Sequence, residues 1–336
     1  MDRFCYITDL HFKKNNIETR KDNYAKSLFK KLAWVLKYCS KRKIKNLIIG
    51  GDIFDYPYVS DKIKGSIARM FKKYRVTVYF VIGNHDIVGK NPKKYVDSSL
   101  SVYESYDFFK FIGGVSKKNH ITEFEHCYLA GYDYKKDLEI PEEINMPEYD
   151  YDNGKIKILA IHSMIGRKSI IIKGKKLVQS YKNLTTDADI LLTGHYHPGI
   201  GIAKLNVLEH ITKVANPGSF SRTNSFVAEN TVGPALLDIK IKNGKSKLKK
   251  VMIPCKKDVF IKREGDAPSF CILKENFRLA DALKKMKQNN DFAMTDLGKT
   301  LKVMQADDKL FNFEITDDMI TQILDKEKII NGETNG

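Results

Sequence analysis

A layered α/β fold is what the sequence predicts, on three observations. Short apolar runs alternate with longer amphipathic ones over the first two-thirds of the chain, the amphipathic runs carry apolar residues at helical spacing, and most apolar runs end in Gly, Asp or His. Strands alternating with helices imply right-handed βαβ units, and so sheets covered by helices. The first apolar run, residues 3–8, reads as a buried strand. Residues 22–43 bring Leu28, Leu32, Val35, Leu36 and Cys39 to one face with lysines on the other, which is the 3.6-residue period of a helix. A strand at 46–49, a helix at about 60–73 and a strand at 76–82 follow. Further strands are expected at 155–161, 190–193, 212–215, 235–241 and 248–253.

The residues that end these runs carry the chemistry. The run at Tyr6 gives way to Asp9-Leu10-His11, that at Leu47 to Gly50-Gly51-Asp52, and that at Val78 to Gly83-Asn84-His85-Asp86. The run at Ile158 ends in His162, and the run at Ile190 ends in Gly194-His195-Tyr196-His197. Ligands of α/β sheets bind beyond the carboxyl ends of the strands. Five strand ends are therefore expected to deliver two Asp, one Asn and five of the chain's eight histidines to one edge of one sheet. His120, His126 and His210 are left over and read as surface or packed residues. Imidazoles mixed with carboxylates and one amide suit Mn, Fe or Zn better than Mg or Ca. Seven of these eight residues as ligands are too many for one tetrahedral ion and suit two ions sharing a carboxylate. Two ions roughly 3.5–4 Å apart can clamp both the attacking and the leaving oxygen in displacement at phosphorus.

Composition sets the outer bounds. The chain has 336 residues, 42% hydrophobic and 29% charged, which excludes a disordered or collagen-like protein and leaves room for one large domain and a smaller one. The five cysteines are scattered with no Cys-x-x-Cys spacing, so a reducing compartment is expected, and with it a cytoplasmic location. No apolar run approaches the ~18–20 residues of a bilayer span, and Asp9 interrupts the short run near the N-terminus, so neither a membrane partner nor a signal peptide is expected. The formal charge of +17 suggests an anionic partner such as nucleic acid. Residues 240–263 alone hold ten Lys or Arg against one acid. Metal-type residues stop after about 255, and residues 281–327 hold ten acidic against seven basic residues, a balance that fits a capping or partner-binding region better than a nucleic-acid groove. A strand at 270–273, helices at 279–286 and 317–328, a frayed tail at 331–336 and a division into 1–255 and 256–336 are expected there.

The ordered set Asp9-x-His11, Gly51-Asp52-x-x-Asp55, Gly83-Asn84-His85-Asp86, His162 and Gly194-His195-x-His197 resembles the calcineurin-like metallophosphoesterase superfamily. The resemblance implies a four-layer αββα sandwich with a dinuclear metal centre and, here, a smaller C-terminal α+β capping or partner-binding region. Carried over by motif, Asp9, His11 and His197 would hold one ion, Asn84, His162 and His195 the other, and Asp52 would bridge. His85 would face the scissile phosphate, with Asn84 beside it. The Asp-Arg-Gly and Gly-Asn-His-Glu of protein phosphatases are absent. Gly51-Asp52-Ile53-Phe54-Asp55 and Asn216-Pro217-Gly218-Ser219-Phe220-Ser221-Arg222 resemble instead the SbcD-type nuclease subunit of the DNA double-strand-break repair complex. That branch implies Mn²⁺ as the metal, DNA as substrate, an SbcC-type SMC-like ATPase as partner, and a homodimer through the helix at 22–43. Arg222, with Arg167 and Lys168 soon after His162, would be a phosphate contact. Asp55 stands where some members of the branch have a histidine, and reads equally as an outer-shell group or a structural one. Two rival readings keep parts of this picture: a phosphodiesterase or pyrophosphatase acting on small nucleotides, and a mainly structural DNA-tethering subunit.

Overall fold

The computed structural model describes residues 1–261 except 18, 115–120, 153, 173, 208–209, 224–232 and 257–258. Cys271 and the elements expected at 270–273, 279–286 and 317–328 lie outside the described residues, as does His120. In chain order the elements are β1 (Asp2–Ile7), α1 (Tyr24–Lys41), β2 (Asn46–Ile49), α2 (Asp61–Tyr74), β3 (Thr77–Phe80), β4 (Phe109–Phe111), β5 (Thr122–Glu123) and β6 (Cys127–Tyr132). There follow β7 (Ile156–Ser163), β8 (Ile165–Gly166), β9 (Ile170–Ile172), β10 (Lys175–Ser180), β11 (Ile190–His195), β12 (Gly201–Val207), β13 (His210–Asn216), β14 (Ala235–Lys242) and β15 (Lys245–Met252). Met1–Ile261 is one compact unit. It runs past residue 255 because the backbone of Val259 and Ile261 pairs with that of Lys21 and Thr19.

Two six-stranded sheets form the body, in the orders β15-β14-β1-β2-β3-β4 and β12-β13-β11-β7-β6-β5, with a small sheet β8-β10-β9 beside them. Alternation along each strand divides its side chains between two cores. Phe4 and Tyr6 of β1 join Ile48, Leu129, Ile158, Ile190 and Leu192 in the layer between the sheets. Cys5 and Ile7 face the other way, onto Leu28, Leu32, Val35 and Leu36 of α1 and Ile63, Ile67 and Phe71 of α2. α1 begins at Asn23, whose side chain accepts a hydrogen bond from Lys26 N at 2.8 Å, a cap worth about 0.5–2 kcal/mol. The outer face of the second sheet is covered by Ile144, Met146, Leu184 and Ala188 from connecting segments, and among the described residues no α-helix lies there. Also among the described residues, no helix is long and apolar enough to cross a membrane.

One sequence expectation is corrected by this topology. The sequence places the five strand ends at one edge of one sheet, whereas β1, β2 and β3 belong to the first sheet and β7 and β11 to the second. Alternation of strand and helix reports parallel pairing, and it carries no information about which sheet a strand joins. The metal-type residues therefore meet between two parallel edges, β1-β2-β3 and β7-β11, whose carboxyl ends face the same region.

Candidate metal centre between the two sheets

The turns that follow β1 and β2 are laced together by backbone hydrogen bonds. Asp9 N donates to Gly51 O at 3.2 Å, and Leu10 N and His11 N both donate to Asp52 O at 2.8 and 2.9 Å. Within these turns the backbone is left-handed at Asp9 (φ 55°), His11 (φ 48°) and Asp52 (φ 50°), and again at His195 (φ 70°). A non-glycine residue in that region costs of order 1–3 kcal/mol, so four such residues in one place mark a functional constraint rather than a packing accident. Two glycines keep the space open. A Cβ on Gly51 (φ 94°) would run into the His162 ring, and one on Gly83 would run into the Asp52 carboxylate. Asp86 does not join the cluster. Its carboxylate accepts from Gly83 N and Phe54 N, both at 2.9 Å, and ties the third motif to the second.

Three groups of side chains have ligand atoms mutually within 4.8 Å: Asp9 with His11 and His197, Asp52 with His162 and His195, and His11 with Asp52 and His85. Asp9 is oriented by Thr8 Oγ1 at 2.9 Å and by His195 N at 3.1 Å. His162 Nδ1 donates to Gly50 O at 2.7 Å, which leaves the lone pair of its Nε2 turned inward, 3.1 Å from Asn84 Oδ1 and 3.3 Å from Asp52 Oδ2. His11 Nδ1 lies 3.1 Å from Asp55 Oδ1, and its Nε2 turns inward, 3.5 Å from Asp52 Oδ2 and 3.2 Å from His197 Nε2. Asp52 Oδ2 is fully buried and, among the described residues, has no hydrogen-bond donor. Oxygen and nitrogen acceptor atoms thus converge on one small space, which only a proton or a cation can fill. Such an arrangement is repulsive by itself and becomes favourable around a cation, so the donor set fits divalent metal.

The electrostatics make the same demand for positive charge. Burial opposes a charge on His162, yet the Asp52 carboxylate raises its pKa to about 9. Burial likewise opposes ionisation of Asp52, but His162 and then His11 hold its carboxyl well below the usual range. His195 is lowered to about 2 by burial and by His162, so it stays neutral and free to coordinate.

Residues 3–199, more than half of the chain, match the model of the calcineurin-like phosphoesterases. The chain belongs to that family. Members bind a dinuclear metal centre, so this calcineurin-like phosphoesterase is a metal-dependent hydrolase of phosphoesters, and the His/Asp groups above are where metal fits. Among solved structures, it is similar to a dimetal phosphatase from Danio rerio (11% identity, 75% of this chain and 99% of that one, TM-score 0.43). It is also similar to a protein of Thermus thermophilus (13% identity, 75% and 99%, TM-score 0.42). No curated protein matches the sequence.

The other residues of the phosphoesterase that the sequence singled out divide clearly. His85 is exposed at the open side of the cluster, its backbone N donating to Asp52 Oδ1 at 2.9 Å and its Nδ1 3.0 Å from Asp55 O. Asp55 stands behind His11, with Lys13 Nζ at 2.8 Å on its other oxygen, and contacts from His11 and Lys13 outweigh burial to lower its pKa to about 2. Arg167 and Lys168 are exposed just beyond β7, and Arg167 also donates to Ile200 O. Arg222, expected at a phosphate, is only 3% exposed and donates to Lys256 O at 2.7 Å. That buried guanidinium clamps the chain and does not present itself to a ligand. The segment it ends is itself part of the site's foundation. Phe220 N donates to Thr8 O at 3.0 Å, Ser219 Oγ donates to Asp9 O at 3.3 Å, and Lys31 Nζ donates to the carbonyls of Phe220 and Ser221. His126 and His210 lie elsewhere, beside Glu125 and Ala188 O. Sequence reasoning missed Glu139, whose carboxylate is 3.5 Å from His195 Nε2. It sits on an irregular segment tied to the end of β7 by Met164 N to Glu139 O at 2.7 Å, and no motif marks it.

Proposed function

We propose that this calcineurin-like phosphoesterase is a DNA nuclease of the SbcD type, acting with Mn²⁺ and with an SbcC-type ATPase in DNA repair or recombination. The observation that carries the reading is the segment from Asn216 to Arg222, whose sequence resembles that branch and whose Phe220 and Ser219 hydrogen-bond to the Thr8–Asp9 backbone. The formal charge of +17, with exposed Arg167 and Lys168 soon after the strand that carries His162, supports a polyanionic substrate. A homodimer through α1 belongs to the same reading.

In this reading Asp9, His11 and His197 would hold one ion and Asn84, His162 and His195 the other, with the Asp52 carboxylate within reach of both. When bound, two such ions supply Lewis acidity and a water acidic enough to attack phosphorus at neutral pH. The chain's own part is to position and to move a proton. Asn84 and His85 orient the phosphoryl oxygens. His85, with Nδ1 turned to the Asp55 carbonyl, keeps its other ring nitrogen for the leaving oxygen. Asp55 fixes the His11 ring, as carboxylates behind metal-binding imidazoles do.

Purified protein incubated with Mn²⁺ should cleave double- or single-stranded DNA, and Asp52→Asn should abolish the cleavage. Cleavage that persists in Asp52→Asn would assign the activity to another site or a contaminant. A small phosphodiester reporter adds the second arm. DNA should inhibit its hydrolysis strongly at low salt and weakly at high salt, whereas indifference to DNA would favour small nucleotides as substrates.

A further inference from the structure

We propose that the β14–β15 hairpin is a second nucleic-acid contact, separate from the metal cluster, which grips the phosphate backbone of a duplex. This proposal rests on the nuclease reading for the identity of the polyanion. Alternation along β14 buries Leu237, Ile239 and Ile241 between the sheets and turns Asp238, Lys240 and Lys242 to the opposite face. The register pairs Lys240 with Lys247 and Lys242 with Lys245 directly across the two strands. Like charges placed directly opposite one another are destabilising, and two successive such pairs ask for an anion above them.

Edge protection does not account for this pattern. Lysines on an edge strand guard against unwanted strand pairing, and that would explain β15. β14, however, is an inner strand, paired with β1 on one side and β15 on the other, and it carries Lys240 and Lys242. Two acids near these lysines, Asp238 by Lys240 and Glu125 by Lys242, are already engaged. Asp238 takes Arg3 at 2.7 Å and the Tyr38 hydroxyl at 2.8 Å, and Glu125 takes the N-terminal amine at 3.2 Å. The four lysines line a shallow groove of about 540 Å³ together with Asn243, whose amide is suited to phosphate oxygens. Beside it the exposed basic end of α1 adjoins through Arg42, whose carbonyl accepts from Arg3 Nη1 at 3.1 Å.

The hairpin lies at the far end of the first sheet from the cluster. β14 runs antiparallel to β1 with Asp2 opposite Ile241, while Asp9 follows the other end of β1. At ~3.3 Å per residue the two are separated along the strand by roughly 20–25 Å, so a ligand touching both must be a polymer and a small ester would touch only one.

The test compares two full-length variants with equal loss of charge. One carries Lys240→Gln, Lys242→Gln, Lys245→Gln and Lys247→Gln. The other carries Lys62→Gln, Lys72→Gln, Lys73→Gln and Lys94→Gln, at exposed positions outside the hairpin. Binding of a duplex of about 30 base pairs is measured in EDTA between roughly 50 and 200 mM salt, so that it does not depend on cleavage. The hairpin variant should show a plot of log K against log salt that is shallower by about 3–4, the control by less than about 1, and both should hydrolyse a small phosphodiester with Mn²⁺ at the wild-type rate. Equal slopes in the two variants, or no change in the hairpin variant, would overturn the proposal. So would loss of binding to anionic phospholipid vesicles with duplex binding intact, which would make the face a membrane contact. Duplex held through the hairpin but never cut by the wild type would end the nuclease reading and leave the surface standing. Duplex cut normally with unchanged slopes would do the reverse.

Discussion

His162 and Asp52 face each other lone pair to lone pair: Nε2 stands 3.3 Å from Oδ2, while Nδ1 of the same ring is committed to the Gly50 carbonyl at 2.7 Å. Either a proton or a metal ion must lie between them, and the two compete. His162 has a folded pKa of about 9, raised from the ordinary 6.5 by Asp52 against the effect of burial. The stability that its proton contributes is complete below pH 6.5 and is lost as pH rises through 9. Metal binding must displace that proton, so affinity grows with pH over the same interval. Lys31, lowered to about 7 by burial and Arg20, pushes stability the opposite way above pH 7, whether or not metal is bound. The informative quantity is therefore a difference. The gap in Tm between protein in excess Mn²⁺ and protein in EDTA should widen from pH 6.5 to 9. A gap that stays flat or narrows would mean that His162 carries no displaceable proton.

Asp55 backs His11 from 3.1 Å and is itself held by Lys13. Replacing it with Asn removes the charge and keeps the shape. Mn²⁺ affinity, read by calorimetric titration, should fall about 10–100-fold, with kcat restored in part at saturating metal. Unchanged affinity would reduce Asp55 to a structural partner of Lys13.

Much of this site was legible because each ligand follows a strand whose apolar run is short and unambiguous. Ile7, Ile49, Ile82 and Ile161 are all buried, and a metal-type residue follows each within three positions: Asp9, Asp52, Asn84 and His162. The distribution of those strands over two sheets was not legible, because the alternation of β1 or β7 is the same whichever sheet receives it. β12 was missed for a different reason. It is an edge strand with Lys204 and Asn206 exposed, so its apolar content is thin. The short sheet β8-β10-β9 leaves Ile171 and Ile172 more than half exposed, against the usual apolar-inward rule. The place of Arg222 was not legible either, because its guanidinium donates to Lys256 O, a contact made across 34 residues that no local pattern encodes. Glu139 was invisible because it reaches His195 from a segment without period or motif.

Glu139→Gln probes that contact. The carboxylate is one-third exposed, and its loss should change stability in EDTA by no more than about 0.5 kcal/mol. Mn²⁺ affinity should fall several-fold, because an anion beside His195 is removed. An effect on stability alone, with affinity intact, would make Glu139 a structural residue.

Lys31 holds the segment from Asn216 to Arg222 against the Asp9 turn through the carbonyls of Phe220 and Ser221. Lys31→Met preserves the bulk of the side chain and leaves both buried acceptors without their donor. Stability in urea should drop by about 1–3 kcal/mol, and Mn²⁺ affinity should fall with it as the Asp9 backbone loosens. A loss of stability with unaltered affinity would separate the segment from the metal site.

The central claim is that the side chains converging on Asp52 seat a pair of ions. A crystal soaked in Mn²⁺ and measured at the manganese edge tests it most directly. The account predicts two anomalous peaks roughly 3.5–4 Å apart on either side of Asp52 Oδ2, one among Asp9, His11 and His197 and the other among Asn84, His162 and His195. A map with no peak between these residues, at a metal concentration that restores hydrolysis, would contradict it.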